Sequence, residues 1–506
     1  MSGDHNLFAK FSAQWDRSAT FLTTPAGEHY TYGDALSASG QVAQFLADAG
    51  VRVGDRVSVQ AQKSVEFVWL YLGCLRAGIA FHPLNPAYTE HELKYFFTDA
   101  APAMVIYDPA NPANVRGVAT ATGVARIDTM AADGGGSFRE GRRAAQITTS
   151  IVHSGADDIA VLLYSSGTTG RPKGIPLSHG NIGANAIGLS KAWGFVRHDV
   201  LLHALPMFHA HGLLIALNCT LISGSAVRYL PRFDPQAVID ELVDASVMMG
   251  VPTFYTRLLS SKRLDKNCCH AIRLFISGSA PLRTDTFDAF AARTGHRIVE
   301  RYGMSETVVL TSNPIDGARK AGTVGVPLPG IAVRVADAND RPLPSGDIGR
   351  IQVRGPNVFA AYWRKPEKTA ADFTADGFFD TGDQGSFDHD GYLSIVGRAR
   401  DLIISGGLNV YPIEVEQILN DSGLVREAAV IGVVHEDFGE AVIAIVVPDP
   451  AIAFDETRIR NFASERLARF KLPKRVIAVD SLPRNAMGKV QKNLLRERFR
   501  DLLSTS

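Results

Sequence analysis

The chain is poor in cysteine, and its cysteines are not spaced as metal ligands. Its 506 residues include four, Cys74, Cys219, Cys268 and Cys269, without a CxxC pair. A disulfide framework or a structural zinc site is therefore not expected, which suits a reducing compartment. The segment Met1–Phe11 also lacks the basic and apolar regions of a signal peptide. These absences predict a cytoplasmic protein.

An excess of either charge is absent as well. Lys and Arg number 52, as do Asp and Glu, so the chain offers no electrostatic reason to bind nucleic acid or an anionic membrane. The stretch Val200–Val227 carries no formal charge, but histidines, a proline and an asparagine interrupt it. Such interruptions argue against a lipid-facing helix. We expect no membrane span, and we interpret this stretch as buried core beside a site.

The length and the hydrophobic pattern predict an α/β protein of two or more domains. A chain of 506 residues exceeds the size of one ordinary core. Short β-branched runs alternate with helical patterns, which indicates layered helices on parallel or mixed sheets. The predicted strands are Arg56–Val59, Ala103–Tyr107, Ile159–Tyr164 and Ile272–Ile276, and the predicted helices are Tyr32–Ala49, Ser64–Gly78 and Thr89–Ala100.

The pattern changes after about residue 320, where short strands alternate with Gly, Pro and Asp turns. We predict an N-terminal domain over residues 1–399, with a small β-rich subdomain at about 320–399, and a smaller α+β domain over residues 400–506. The predicted strands here are Val324–Pro329, Arg350–Gly355, Tyr392–Val396, Ala428–Val434 and Val442–Val447, and a helix is predicted after Tyr411-Pro412.

A loop rich in glycine and hydroxyl residues follows the predicted strand Ile159–Tyr164. Glycines allow backbone N–H groups to approach an anion, hydroxyls donate to phosphate oxygens, and a lysine adds charge. The string SSGTTGRPKG is not a Walker A loop, which needs GxxxxGK(S/T). A flexible connector is the alternative interpretation. The candidate polyphosphate-binding residues are Ser165, Ser166, Gly167, Thr168, Thr169 and Lys173.

This loop resembles the phosphate loop of the adenylate-forming superfamily, which contains acyl-CoA synthetases, firefly-type luciferases and peptide-synthetase adenylation domains. The resemblance runs from the first helices to Lys489. It implies an ATP-dependent acid–CoA ligase that forms an acyl-adenylate, releases pyrophosphate, and then forms an acyl-CoA with release of AMP. The implied cofactors and co-substrates are ATP, Mg²⁺ and CoA.

Further motifs match that superfamily in order: Ser277–Pro281 resembles the adenine-side loop, Glu300–Thr307 the YGxTE motif, and Thr381–Asp383 the TGD motif. The resemblance implies that Tyr302 stacks on adenine and that Glu306 holds Mg²⁺, aided by Thr168, since hard cations bind oxygen ligands. The implied ATP and AMP contacts are Ser279, Ala280, Pro281, Glu300, Tyr302, Gly303, Ser305, Asp383 and Arg398.

The last hundred residues carry the motifs implied for the two half-reactions. Pro483–Lys489 resembles the mobile C-terminal loop, whose lysine, here Lys489, enters the site for adenylation. Arg400 occupies the hinge position, where many relatives have Asp or Lys. The implied contacts to the pantetheine arm of CoA are Ser405, Gly406 and Gly407. The resemblance implies that His209 gates the pantetheine path, and a buried hydrogen-bonded histidine is the alternative. His211 is not assigned to the site.

The acid is the least determined part of the sequence interpretation. Arg257 falls where the superfamily lines its acyl pocket, and a buried arginine favours a second carboxylate over a fatty chain. An alternative is that Arg257 points to solvent or to a structural partner. Ser277, Gly278 and Met304 complete the predicted acyl site. The strings that resemble malonyl-CoA synthetases in particular are His203–Pro206, Phe208–Gly212, Val251–Arg257, Ile276–Pro281 and Glu300–Thr307.

Malonate is therefore the first choice, with methylmalonate accepted if Met304 leaves room for a methyl group. The alternatives are a ligase for another short or aryl acid, an adenylation domain that serves a carrier protein, and a luciferase-like oxygenase. A scaffold protein that has lost catalysis is a further alternative. The presence of Lys489, Glu306 and Asp383 argues against it. The sequence does not predict the oligomeric state.

Overall fold

The computed structural model describes residues 4–165, 172–398, 401–405, 408–435, 439–467, 469–485 and 488–503. Strands and helices alternate through the first 330 residues. The strands are β1 (Thr20–Thr23), β2 (His29–Thr31), β3 (Arg56–Gln60), β4 (Ala80–Pro83), β5 (Met104–Tyr107), β6 (Arg126–Thr129), β7 (Ile159–Ser165), β8 (Lys173–Ser178), β9 (Val200–His203), β10 (Ala226–Tyr229), β11 (Val247–Gly250), β12 (Leu274–Ser277), β13 (Val299–Tyr302), β14 (Thr311–Ser312) and β15 (Val326–Pro327).

The helices of this region cover the faces of the sheets. They are α1 (Leu7–Ser12), α2 (Tyr32–Asp48), α3 (Val65–Arg76), α4 (Glu90–Ala100), α5 (Val115–Ala121), α6 (Ser137–Ala144), α7 (His179–Ala192), α8 (Asn218–Ser223), α9 (Pro235–Leu242), α10 (Pro252–Leu259) and α11 (Thr284–Thr294), with a π-helix at His211–Leu217. Side-chain caps begin several of them. Thr31 and Thr89, for example, form capping boxes with the residues three positions later.

Two large sheets form the core of this region. One has the strand order β15-β14-β13-β12-β11-β9-β10-β1-β2 and the other has the order β6-β5-β3-β4-β7-β8. Pairing is parallel in the middle of each sheet and antiparallel at β1–β2, β13–β14–β15 and β7–β8. Strands that are buried on both faces need apolar residues at every position, which explains the continuous apolar runs in the sequence. The predicted α/β fold is confirmed.

The predicted strands and helices are close to the observed ones. The interval Ile272–Ile276 begins two residues before the strand, which starts at Leu274, and Val324–Pro329 shortens to Val326–Pro327. The uncharged stretch Val200–Val227 folds as β9, the π-helix, α8 and the start of β10, and most of its side chains are buried. Within the described ranges, no helix has the length and apolar character that a membrane span requires.

Smaller sheets follow. The antiparallel sheet β16-β17-β18-β19 packs on the end of the first region, and helix α12 precedes its third strand. A separate sheet of order β21-β20-β23-β22, with β24 parallel to β23, forms the last part of the chain. The bounds are β16 (Ala332–Ala336), β17 (Gly349–Arg354), α12 (Pro366–Asp372), β18 (Phe379–Phe387), β19 (Leu393–Arg398), β20 (Ile403–Ser405), β21 (Leu408–Val410), α13 (Pro412–Asn420), β22 (Val425–His435), β23 (Gly439–Pro448), α14 (Glu456–Ser464), β24 (Arg475–Ala478) and α15 (Lys492–Arg498).

The small C-terminal sheet has its own apolar core. Val430 and Val442 are buried against helices α13 and α14 on one face, and Ile431 and Ile443 are buried towards α15 on the other. A predicted domain boundary with a hinge at Arg400 lies outside the described residues, which omit 399–400, and it stays a prediction.

Candidate active site

The carboxyl ends of neighbouring parallel strands bring distant segments of the chain together. Strand β9 ends at His203, β11 at Gly250, β12 at Ser277 and β13 at Tyr302. The register pairs Gly250 with Ser277, and Ser277 with Glu300, so these ends are level. Ligands of α/β sheets bind at this edge, where loops replace the ladder. The predicted adenine, acyl and gating segments all begin here.

An antiparallel hairpin flanks the predicted phosphate loop. Ser165, the last residue of β7, pairs with Lys173, the first residue of β8. The hydroxyl of Tyr95 donates to the carbonyl of Pro172 at 2.6 Å, and the hydroxyl of Tyr164 donates to Asp99 at 2.5 Å. These bonds hold both ends of the loop. Ser166, Gly167, Thr168 and Thr169 lie outside the described residues, and their roles stay predictions.

Lys173 and Glu306 meet at one aromatic ring. The Lys173 ammonium lies 4.9 Å from the ring centroid of Tyr362, whose hydroxyl donates to a Glu306 oxygen at 3.3 Å. Glu306 is buried. A buried carboxylate close to a lysine and beside the phosphate loop suits a cation that bridges phosphate oxygens.

The structure tests in part whether the residues fit Mg²⁺. No cluster of three or more His, Cys, Asp and Glu side chains occurs in the part of the chain that the structure describes. Mg²⁺ at a nucleotide site, however, commonly takes one or two carboxylates, substrate phosphates and water. Glu306 alone fits that pattern, and the second predicted ligand, Thr168, is not described.

The predicted adenine and ribose contacts touch each other. The hydroxyl of Tyr302 donates to Asp383 at 2.6 Å. Asp383 lies in β18 and pairs across the sheet with Arg398 of β19. The β-rich sheet therefore places Asp383, a predicted ribose contact, at the end of β13.

The loop after β12 is held by Glu300. The carboxylate of Glu300 accepts a hydrogen bond from the Leu282 N–H at 2.9 Å, and burial raises the pKa of Glu300 to about 8. Ser279 adopts a left-handed conformation with φ of 74°, which non-glycine residues rarely adopt. Ala280 and Pro281 lie between these points on the loop's surface.

A tight turn follows β13 and presents Ser305. A Cβ on Gly303 would lie 1.9 Å from the Val308 carbonyl oxygen, so only glycine fits there. Ser305 lines a cavity whose other walls include Tyr164, Phe208 and His209. This cavity lies between the two large sheets, directly beside the phosphate hairpin.

Lys489 lies in the loop before α15, within electrostatic reach of His209, which lines this cavity. Lys489 acts electrostatically on His209, whose pKa falls to about 3, mainly because of burial and then because of this lysine. A Cβ on Gly488 would lie 3.4 Å from the hydroxyl of Thr253 in α10. The loop also bonds to itself, because the Lys489 N–H donates to the side chain of Asn485 and the Lys489 carbonyl accepts from the Asn485 N–H.

A second cavity, of about 190 Å³, lies on the other side of Phe208. Phe208 lines both cavities, and its ring lies 4.3 Å from that of His209. The second cavity is also lined by Lys63 and Arg232. Phe208 therefore lies between the two cavities, and the gating role of His209 stays a prediction. Ser405 is buried at the end of β20, while Gly406 and Gly407 lie outside the described residues.

Arg257 is not where the sequence interpretation expected it. Its side chain is exposed, because α10 buries Tyr255 and Leu258 on its opposite face. Its electrostatic neighbour is Arg484 of the C-terminal loop, whose pKa is lowered by burial and then by Arg257. Arg257 therefore lies where α10 meets that loop. The expectation of a buried side chain is corrected, and a role in substrate binding stays a prediction.

The sequence interpretation missed Arg301. Its side chain is 4% exposed, and burial lowers its pKa to about 10. Its Nε and Nη2 atoms have no hydrogen-bond partner among the described residues. The guanidinium lies against Gly278, since a Cβ there would be 2.4 Å from Nε. The signal was present in the sequence as a charged residue inside an otherwise buried strand.

The groups around Arg301 leave its charge unbalanced. The titratable neighbours that act on it are Tyr255 and Cys219, and burial raises the pKa of both, so both are neutral. The buried hydroxyl of Ser277, at the end of β12, also has no partner in the described part of the chain. Unpaired buried polar groups are costly, and a bound ligand is one way to supply the missing partner.

A large region built on two α/β sheets, a hairpin at the predicted phosphate loop and a smaller C-terminal region whose loop carries Lys489 are the features of an adenylate-forming enzyme. Residues 8–363 match the family described as AMP-binding enzyme, and residues 414–489 match the AMP-binding enzyme C-terminal domain. The chain belongs to the AMP-binding enzyme family, and its relatives place it among the acid–CoA ligases.

Those relatives are similar over most of their length. A probable CoA ligase of Humulus lupulus is 36% identical, with 90% of this chain and 81% of the relative covered. A malonate–CoA ligase of Arabidopsis thaliana is 34% identical, with 93% and 85% covered. Among solved structures, ATP-bound MatB from Rhodopseudomonas palustris is 49% identical, with a TM-score of 0.97 and 99% and 100% covered. Its apo form gives a TM-score of 0.85 at the same identity and coverage.

Proposed function

We propose that this enzyme is an ATP-dependent malonate–CoA ligase that forms malonyl-adenylate and then malonyl-CoA. The choice of malonate rests on Nε and Nη2 of Arg301, which have no hydrogen-bond partner among the described residues. Nε and Nη2 lie on the same side of a guanidinium, and together they match the two oxygens of a carboxylate. A buried site that offers this edge rejects a fatty or unsubstituted aryl chain, because such a chain leaves the charge unpaired.

The size of the site favours a short diacid. Gly278 places backbone directly against the guanidinium, and Met304 packs at the edge of the core beside it in the turn after β13. One carboxylate at Arg301 leaves the other to face the α-phosphate near Ser305. The malonate–CoA ligases among the relatives support this choice. Acceptance of methylmalonate depends on the space that Met304 leaves.

In the first half-reaction a carboxylate oxygen attacks the α-phosphorus of ATP, and the bond to pyrophosphate breaks. The Tyr302–Asp383 pair orients the nucleoside, and Lys173 and Lys489 stabilise the negative charge that develops on phosphate oxygens. Glu306 would hold Mg²⁺, which neutralises the charge of the leaving pyrophosphate. The closer likeness to ATP-bound than to apo MatB supports an adenylation arrangement of the domains.

In the second half-reaction the CoA thiolate attacks the acyl carbon, and AMP leaves. The cavity beyond Phe208 provides a path for a thin pantetheine arm, and His209 separates it from the adenylate cavity. We propose that the C-terminal domain turns about Arg400, which withdraws Lys489 and brings Gly406 and Gly407 to the site. Such a movement lets one pocket perform two reactions in turn.

The test is AMP release with ATP and CoA, measured with malonate, methylmalonate, acetate, propionate and benzoate. Malonate should give the highest kcat/KM, and omission of CoA should leave the adenylate bound and turnover low. If a monocarboxylic acid is the best substrate, malonate is wrong and the alternative, a ligase for another short or aryl acid, is correct. If no acid supports AMP release, the ligase activity itself is wrong.

A further inference from the structure

His211 is a buried histidine with one satisfied and one unsatisfied nitrogen. Its side chain is 2% exposed, and Nδ1 lies 3.2 Å from the hydroxyl oxygen of Ser279. Nε2 has no hydrogen-bond partner in the described ranges. The electrostatic neighbours of His211 are Arg301, His203 and His209, all of them basic groups. Burial and these neighbours hold its pKa well below the usual range, so the ring is neutral.

The backbone at His211 is fixed by contacts that reach across the sheet. The π-helix begins at this residue, and such helices are frequent at functional sites. The next residue, Gly212, accepts a hydrogen bond from His203 Nε2 at 2.9 Å, and a Cβ there would lie 2.1 Å from the Pro206 carbonyl oxygen. Lys63 donates to Nδ1 of His203 at 2.8 Å and so fixes that ring in turn. The His211 ring is therefore held in one position.

Ser279 holds the other side of the ring. It adopts its left-handed conformation in the loop that follows Ser277 and Gly278. A non-glycine residue in that region costs about 1 kcal/mol or more, and such residues concentrate at functional sites. The conformation places the Ser279 hydroxyl on the imidazole of His211. This hydrogen bond therefore joins the left-handed turn at Ser279 to the start of the π-helix at His211.

Three groups with missing partners come from the end of β12, from β13 and from the start of the π-helix. They are the Ser277 hydroxyl, the Arg301 edge and the His211 Nε2. A carboxylate has four lone-pair positions and accepts more hydrogen bonds than one guanidinium edge supplies. Arg301 is close enough to His211 to lower its pKa, and the unpaired atoms of the two side chains are not hydrogen-bonded to each other.

We propose that His211 is a substrate-binding residue that donates from Nε2–H to the carboxylate held by Arg301, with the Ser279 hydroxyl donating to Nδ1 and so fixing the tautomer. This inference rests on the proposed function, because it assigns His211 to the second carboxylate of a diacid. The neutral ring adds a directed donor without adding a second buried cation. His211 would thereby set the preference for diacids over monoacids.

The test compares His211→Gln with His211→Asn. The glutamine amide reaches the position of Nε2, whereas the asparagine amide reaches only that of Nδ1. We expect His211→Asn to lower kcat/KM for malonate by about tenfold to a hundredfold, the cost of a hydrogen bond to a charged group. His211→Gln should retain most of it. The KM for ATP and the kcat/KM for propionate should stay near wild type in both variants.

His179 provides the matched control. It is buried, its Nδ1 accepts from the Leu7 N–H at 3.0 Å, and its Nε2 is likewise without a described partner. His179→Asn should change thermal stability but not the ratio of malonate to propionate turnover. Equal malonate kinetics in wild type and His211→Asn would overturn the inference, as would a loss shared equally by malonate, propionate and ATP. Wild-type enzyme that fails to use malonate would instead overturn the proposed function.

Discussion

The hydroxyl of Tyr302 donates a hydrogen bond of 2.6 Å to the carboxylate of Asp383, 81 positions later in the chain. This bond joins the end of β13 to the β-rich sheet, so the predicted adenine and ribose contacts are positioned together. The position of each side chain depends on the hydrogen bond to the other as well as on its own strand. The nucleotide site therefore depends on how the β-rich sheet packs on the first sheet.

Tyr302→Phe keeps the ring for stacking and removes the donor to Asp383. We expect the KM for ATP to rise about fivefold to tenfold, since one hydrogen bond to a charged acceptor is lost. The KM for malonate should change little. Tyr392→Phe is the control, because Tyr392 also loses one hydrogen bond, 2.8 Å long, to the carbonyl of Ala318. An unchanged KM for ATP in Tyr302→Phe would contradict this coupling.

Arg301→Lys keeps the charge and removes the two-nitrogen edge. We expect kcat/KM for malonate to fall by about tenfold to a hundredfold, because the lysine cannot form the paired hydrogen bonds of the guanidinium and a hydrogen bond to a charged group contributes about 1.5–3 kcal/mol. Steady-state kinetics for malonate and ATP, measured separately, would show the loss in the acid alone.

Arg257→Ala tests whether Arg257 or Arg301 binds the acid substrate. The sequence interpretation expected Arg257 to pair the substrate, whereas its side chain is exposed near Arg484. We expect a change in malonate kcat/KM much smaller than that of Arg301→Lys. A larger loss in Arg257→Ala would return the acid-binding role to Arg257 and would count against Arg301.

Gly278→Ala tests the contact beneath the guanidinium. The added Cβ would lie 2.4 Å from Arg301, so the buried side chain must move away from its position. We expect malonate turnover to fall while the fold, measured by thermal unfolding, is retained. Gly188→Ala in α7 is the control. Nothing lies within 4 Å of its Cβ, and alanine should add up to about 1 kcal/mol of stability.

Glu300→Gln tests the pH dependence of stability. Burial raises the pKa of Glu300 from 4.5 to about 8 in the folded state, so the folded protein binds the extra proton between these values. Stability that this group contributes is present below pH 4.5 and declines as pH rises towards 8. Relative to Glu300→Gln, wild type should lose up to about 1.4 kcal/mol per pH unit across that range. Unfolding temperatures of both proteins that run parallel from pH 5 to 8 would contradict the raised pKa.

The sequence predicted the strands and the order of the motifs well, because buried strands and glycine-rich turns are encoded locally. It could not show that Tyr302 meets Asp383, which depends on the packing of two sheets. It did not predict a role for Arg301, because the motif that contains this residue was interpreted as a nucleotide contact through Tyr302. It expected Arg257 to be buried, although the apolar pair Tyr255 and Leu258, three residues apart, already indicated which face of α10 points inward.

The loop that carries Lys489 is tied to itself through Asn485, at both the N–H and the carbonyl of the lysine. In the proposed cycle this loop leaves the site and returns once per turnover. Because both of these hydrogen bonds lie within the loop, the lysine arrives with its backbone already ordered. Little conformational entropy is then lost at each return. We expect the frequency of return to depend instead on the contact between Gly488 and Thr253 and on the repulsion between Arg484 and Arg257. Substitutions at these contacts would change the turnover rate without changing the residues that perform the reaction.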